Sequence, residues 1–463
     1  MSSRVRALNV THVRPEQGHH GVDHAIELSL FDTVCIAVTP VRRLFFYQGD
    51  RLPPFDSLVL SLQSSLAATL AVYTPLAGRL AVSSSGDVVV DCSPGAVSLG
   101  VRFVEAEYAG GAEEMRRLAG DPEHDAEAFL QLVPALAVGA LPAPVLAVQV
   151  TRPAGGDGGI VAVGVSVSHT VVDGRALWHF LLAWAAAARE GSPAGAGLPP
   201  PSFDRAAINC RPQAEEVARK FLRMFAPTLP TVNTFPEPDM SRQCQRTYLL
   251  GASQIQSLKQ RILLQSEGAT ASQPGVAKPP TTHAAVASLV WTSVVRSDRR
   301  HGDDGDDAYL LFAADCRSRL RPPLDGAFFG NCATSCCARA TAGELRGGAA
   351  LARAAAAVRG AVREYLEEQD PAAATERWVE HHAALPPERT VHIASSHRFA
   401  AYETDFGWGA PSRVELAAAF MRDFVALLGA PDGAVQVSVE LDRDRIHGFE
   451  ASFLSQLDGL HSA

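Results

Sequence analysis

Two β-branched runs constrain this chain more than any other feature. Residues 146–151 (Leu-Ala-Val-Gln-Val-Thr) and 160–167 (Ile-Val-Ala-Val-Gly-Val-Ser-Val) flank a glycine-rich stretch at 154–159. Strand-forming runs on either side of such a stretch predict a β-hairpin with a loose turn. The second run leads straight into His169, and a helical pattern follows from Gly174, with Ala176, Leu177, Phe180, Leu181 and Trp184 sharing one face. A histidine is therefore expected at a strand-to-helix junction, where a side chain can project from the end of a sheet.

The remaining pattern is mixed. Residues 26–30 alternate apolar and polar, which suits a strand, and strands are also expected near 87–90, 246–250, 309–313 and 435–441. Leu58, Leu62, Leu66 and Leu70 fall at steps of four on one helix face, closed by Pro75. Further helices are expected at 254–264, from Thr282, over 344–368 and over 442–455. Residues 191–245 carry Pro199, Pro200, Pro201, Pro212, Pro227, Pro230, Pro236 and Pro238 around one amphipathic helix near 215–225, the pattern of a long connection. A Ser/Gly/Pro-rich insert at 266–280 reads as a mobile loop. Strands and helices without regular βαβ repetition favour an α+β body.

Composition excludes several classes. The net charge is −9 over 463 residues, without the basic stripe of a nucleic-acid binder. The nearest apolar candidate, 133–150, is broken by Pro134, Pro142 and Pro144, so no clean run approaches the roughly 18 residues of a membrane span. The first residues lack the apolar core of a secretion signal. The eight scattered cysteines form no Cys-x-x-Cys pair, so free thiols in a reducing, cytoplasmic setting are expected. No metal site is expected, because His19-His20 and His381-His382 lack companion ligands at useful spacing. No glycine-rich nucleotide fingerprint follows a strand.

His169-Thr170-Val171-Val172-Asp173-Gly174 offers an imidazole able to accept a proton near neutral pH. Taken alone, this motif fits a hydrogen-bonded histidine at a strand end equally well. Asp405-Phe406-Gly407-Trp408-Gly409 far downstream makes the pair more specific, since two glycines around a tryptophan imply close backbone approach.

With 28–32 (Leu-Ser-Leu-Phe-Asp) and 73–80 (Tyr-Thr-Pro-Leu-Ala-Gly-Arg-Leu), these motifs make the whole chain resemble the BAHD family of plant acyltransferases. Phe328-Phe329-Gly330-Asn331-Cys332 and Ser395-Ser396 resemble its flavonoid and anthocyanin glycoside branch, with many malonyltransferases. The resemblance implies two chloramphenicol-acetyltransferase-like lobes, 1–205 with the histidine motif and 246–463 with the Asp405 motif, joined by a crossover at 206–245. It implies direct acyl transfer from an acyl-CoA, malonyl-CoA or hydroxycinnamoyl-CoA, to a hydroxyl or amine of a small-molecule acceptor. His169 would be the general base and Trp408 an oxyanion donor. Asp173 would be structural and paired with Arg317, and Asp405 a loop organiser. Lys259, Thr282, Ser395 and Ser396 would contact coenzyme A, and Arg175 a malonyl carboxylate. A cytoplasmic monomer without nucleic-acid or membrane partners is expected.

Three other readings remain open: a Cys-nucleophile ping-pong enzyme using Cys332, Cys336 or Cys337, a condensation-domain relative, and a catalytically silent metabolite-binding member. The acceptor, and O- against N-acylation, are not legible.

Overall fold

The computed structural model describes residues 3–17, 22–156, 158–236, 239–269, 279–297, 303–418 and 421–458. The chain forms two units. His19, His20 and residues 270–278 of the expected mobile insert lie outside the described residues.

The first unit comprises Met1–Glu237, Arg321–Cys332 and Ala400–Phe420. Its main sheet runs in the order Val5–Val13, Val101–Tyr108, Leu146–Pro153, Ile160–Val167, Val41–Gln48, Arg413–Leu416. Only the pair Val101–Tyr108 and Leu146–Pro153 is parallel. The expected hairpin is present, with Leu146 opposite Val167 and Thr151 opposite Ala162. Every side chain of Ile160–Val167 is buried, which explains a run without polar alternation. The strand expected over 26–30 is only Ala25–Glu27. Ser29 instead caps the short helix Leu30–Thr33, with a reciprocal capping box to Asp32.

Two longer helices pack together in this unit, Phe55–Val72 and Gly174–Glu190. Leu58, Leu62, Leu66 and Leu70 are all buried, and the Trp184 indole N–H donates to Ser65 Oγ at 3.1 Å. Among the described residues, Phe55–Val72 alone is long and apolar enough to cross a membrane. Here its leucine face belongs to the unit's core.

The last strand, Arg413–Leu416, pairs with Val41–Gln48, Arg413 opposite Phe46. Residues 400–420, placed by the sequence reading in the lobe 246–463, thus belong to the first unit. An edge strand needs a hydrogen-bonding partner but no sequence proximity to it. Of the connection expected at 206–245, the helices Ala206–Asn209 and Ala214–Phe225 also lie in the first unit.

The second unit comprises Pro238–Leu320, Ala333–Phe399 and Met421–Ala463. Its six-stranded sheet runs Gln243–Leu250, Val435–Asp442, Phe424–Gly429, Thr390–Ser396, Asp307–Asp315, Ala333–Thr341. Thr390–Ser396 is parallel to both neighbours. Thr282–Ser297, buried from Ala284 to Val295, is its central helix and packs on Ala350–Arg363 and Ile446–Asp458. The helical stretch expected at 344–368 is interrupted near Gly347-Gly348 and ends in a π-helical turn, Glu364–Glu368.

Candidate active site

His169 sits two residues beyond Ile160–Val167, partly buried. Its pKa is lowered from the ordinary imidazole value chiefly by burial. A hydrogen bond to its own backbone, the charge of Asp173 and the Asn331 side chain act the other way. The ring is thus held in the neutral form, able to accept a proton.

The loop carrying it is fastened from a distance. Asn331 Nδ2 donates to the carbonyl of His169 at 2.8 Å, to that of Thr170 at 3.1 Å and to Asp32 Oδ1 at 3.0 Å. The Asn331 backbone N–H also donates to Asp32 Oδ1, at 3.0 Å. Asp32 is fully buried, and its other oxygen lies 3.4 Å from Arg205 Nε. Arg205 in turn donates to the Phe329 carbonyl at 2.8 Å. Buried groups of opposite charge tolerate such an environment only when paired and hydrogen-bonded, as here.

Asp173 is the N-cap of Gly174–Glu190. Its Oδ1 accepts from the Ala176 N–H at 2.9 Å, and its Oδ2 from the Cys332 N–H at 3.1 Å. Both oxygens serve backbone donors. Arg317, the partner expected by resemblance, belongs to the second unit, where it is buried and donates to Asp315 Oδ1 at 3.0 Å. Arg175 is exposed and donates to the Gly326 carbonyl.

Asp405 folds its own loop. Its Oδ1 accepts from the Gly407 N–H at 2.7 Å and the Gly409 N–H at 2.9 Å. Both glycines have positive φ, 101° and 99°, which side chains would strain. The loop drops Phe406 against Trp184, ring centroids 4.9 Å apart, and Trp408 against Tyr47 at 5.4 Å, both edge-on. Tyr47 OH donates to the Thr404 carbonyl at 2.7 Å, fixing the loop's start.

The four residues expected at coenzyme A lie in the second unit. Thr282 opens the helix Thr282–Ser297, and Ser395 and Ser396 end the strand Thr390–Ser396, Ser395 with φ of 70°. His283 and His397 stack between these ends at 6.5 Å. The charges of Arg398 and Lys259, after burial, lower the His397 pKa, and burial pushes His283 down to about 4. Cations beside a helix N-terminus suit a phosphate.

Sequence reasoning noticed Asp32 and Asn331 only as parts of family motifs and missed Arg205. The capping spacing Ser29-x-x-Asp32 was the available signal for Asp32. Burial pushes the Cys336 and Cys337 thiols up to about 12, so neither is an activated thiolate. Among the described residues no group of three or more His, Cys, Asp or Glu could hold a metal ion.

A family model described as the Transferase family matches residues 5–455. Malonyl-CoA:anthocyanidin 5-O-glucoside-6''-O-malonyltransferase of Arabidopsis thaliana is 31% identical, covering 98% of this chain and 98% of its own. Malonyl-coenzyme:anthocyanin 5-O-glucoside-6'''-O-malonyltransferase of Salvia splendens is 27% identical, covering 99% and 96%. The crystal structure of vinorine synthase shares the fold, with a TM-score of 0.67 at 20% identity over 97% of this chain and 98% of its own. With its histidine loop and its family match running nearly end to end, the chain belongs to the Transferase family, the BAHD acyl-CoA-dependent acyltransferases.

Proposed function

We propose that this acyltransferase moves a malonyl group from malonyl-CoA to a sugar hydroxyl of a phenolic or anthocyanin glucoside, with His169 as general base in a ternary complex. The observation that carries the reading is an imidazole held neutral by burial at a strand end whose loop is fastened by Asn331. The acceptor hydroxyl gives its proton to the imidazole as its oxygen attacks the thioester carbonyl. The tetrahedral intermediate expels coenzyme A thiolate, which takes that proton back. The Trp408 indole N–H is assigned to the oxyanion, a donor worth about 3–4 kcal/mol where one has been removed elsewhere.

Asp173 and Asp405 hold loops in this scheme, and Arg317 acts structurally. Lys259, Thr282, Ser395 and Ser396 hold coenzyme A phosphate or pantetheine, and Arg175 supplies the cation for the malonyl carboxylate. The malonyl donor and glucoside acceptor are supported by the names of the Arabidopsis and Salvia relatives. A cytoplasmic setting fits eight cysteines that are all free.

The test is a donor-by-acceptor matrix on purified protein: malonyl-, acetyl- and hydroxycinnamoyl-CoA against anthocyanin glucosides, simple phenolic glucosides and amines. Malonylation of a glucoside is expected, and hydroxycinnamoyl transfer alone would replace the donor assignment. Mass spectrometry after incubation with donor only should show no acyl-protein adduct. A stable adduct would turn the scheme into covalent transfer.

A further inference from the structure

Two residues of the stretch 328–332 hold the histidine loop directly, Asn331 through its amide and Cys332 through the carboxylate of Asp173. The other three, Phe328, Phe329 and Gly330, close around a single side chain, Arg205. A short parallel pairing brings the two segments together. The Ser202 N–H donates to the Ala327 carbonyl at 2.9 Å, and the Phe329 N–H to the Ser202 carbonyl at 2.7 Å. The Arg205 guanidinium lies over the Phe328 ring, 5.3 Å from its centroid. Arg205 Nη1 donates to the Phe329 carbonyl at 2.8 Å and to the Phe203 carbonyl at 2.9 Å. Gly330 makes room for the group: a Cβ there would stand 2.5 Å from Nη2 and 2.9 Å from the guanidinium carbon.

Arg205 is 6% exposed, and a guanidinium is a permanent cation that tolerates burial only beside a counter-charge. Asp32, fully buried, is that counter-charge, and no other cation pairs with it among the described residues. Its Oδ2 faces Arg205 Nε and also accepts from the Ser29 N–H and hydroxyl, at 3.0 and 2.8 Å. Its Oδ1 accepts from both the backbone and the side chain of Asn331. The Asn331 amide then reaches the His169 carbonyl. Guanidinium, carboxylate, amide and histidine carbonyl form one unbroken chain inside the first unit.

We propose that Arg205 is a positioning residue for acyl transfer, holding His169 in its reactive place through Asp32 and Asn331, and that Phe328-Phe329-Gly330 is the seat of its guanidinium. This role rests on His169 being the proposed base. Removing the guanidinium leaves the Asp32 carboxylate buried without a cation, and the amide that grips the His169 loop loses its anchor.

The test combines turnover with a direct probe of the ring, diethyl pyrocarbonate labelling of His169 read by peptide mass spectrometry, with the exposed His12 as reference. Arg205→Ala should lower kcat about 30- to 100-fold, as displacement of a reacting group does, while donor KM changes less than about 3-fold. His169 should label at least about 5-fold faster as its loop loosens. Arg205→Lys keeps the charge without the planar fork and should lose about 10-fold in kcat. Gly330→Ala, which pushes the guanidinium from its seat, should lose about as much, but less than about 2-fold further in an Arg205→Ala background, since the two act through one group. A folded Arg205→Ala with wild-type kcat overturns the role, as does one whose kcat falls while His169 labels at the wild-type rate. Should Arg205→Ala not fold, Arg205→Lys decides on the same two readouts. Full additivity of Gly330→Ala and Arg205→Lys overturns the seat. Unchanged turnover in His169→Ala removes the proposed base instead, and the labelling rates still report whether Arg205 holds the ring.

Discussion

Two loops of the first unit are each organised by an aspartate, in opposite ways. Asp173 divides its carboxylate between a helix start three residues on and the Cys332 N–H, 159 residues away. Asp405 spends one oxygen on two amides within four residues of itself. Around Asp173, the buried Asp32, Asn331 and Arg205 tie three distant segments together. Around Asp405, aromatic packing carries most of the anchoring. A loop held by long-range polar bonds has its geometry set by the folding of the whole unit. The Asp405 loop draws its turn from its own aspartate, while its seat still depends on Tyr47 and Trp184.

The sharpest way to break this contrast is at His169. His169→Ala should lower kcat by about 10²–10⁴-fold with an unchanged melting temperature. A loss under 10-fold would remove the ring from the chemistry. Next comes Asp173→Ala, which costs the helix cap and strands the Cys332 N–H, together about 2–4 kcal/mol of stability. Denaturant unfolding measures it, and lost turnover at wild-type stability would move Asp173 into the reaction. Asp405→Ala should cost only about 1 kcal/mol, and Asp405→Asn, which keeps a carbonyl acceptor, should restore most of it. A penalty matching that of Asp173→Ala would erase the distinction between the loops.

The smallest effect is in pH. Protonation of His169 removes the base, and burial disfavours the protonated ring, so the acid limb of kcat/KM should lie below the ordinary imidazole value of 6.5. Turnover at pH 6.5 should stay within two-fold of that at pH 7.5. A limb centred at or above 6.5 would mean that the ring is solvated in the working enzyme.

Local features were legible in the sequence. The 146–167 hairpin, the leucine face of Phe55–Val72 and the helix after Gly174 each follow from spacing over a few residues. His169 could be placed at its junction for the same reason. What escaped was non-local. Arg413–Leu416 pairs with a strand about 370 residues earlier, and hydrophobic pattern does not encode a strand's partner. Asn331 looked like part of a motif, and only folding brings its amide to the His169 carbonyl. Arg205 lies in a proline-rich stretch that reads as connection, because guanidinium burial depends on a carboxylate supplied from elsewhere.

The late arrival of Arg413–Leu416 has a consequence for how the protein is made. A ribosome that has released the first 237 residues has produced five of the six strands of the main sheet, and the free edge of Val41–Gln48 waits until residue 416 emerges. Such an edge invites pairing with other nascent chains. A fragment ending at 237 should therefore accumulate as aggregate, and supplying 400–420 as a fused extension should recover soluble material.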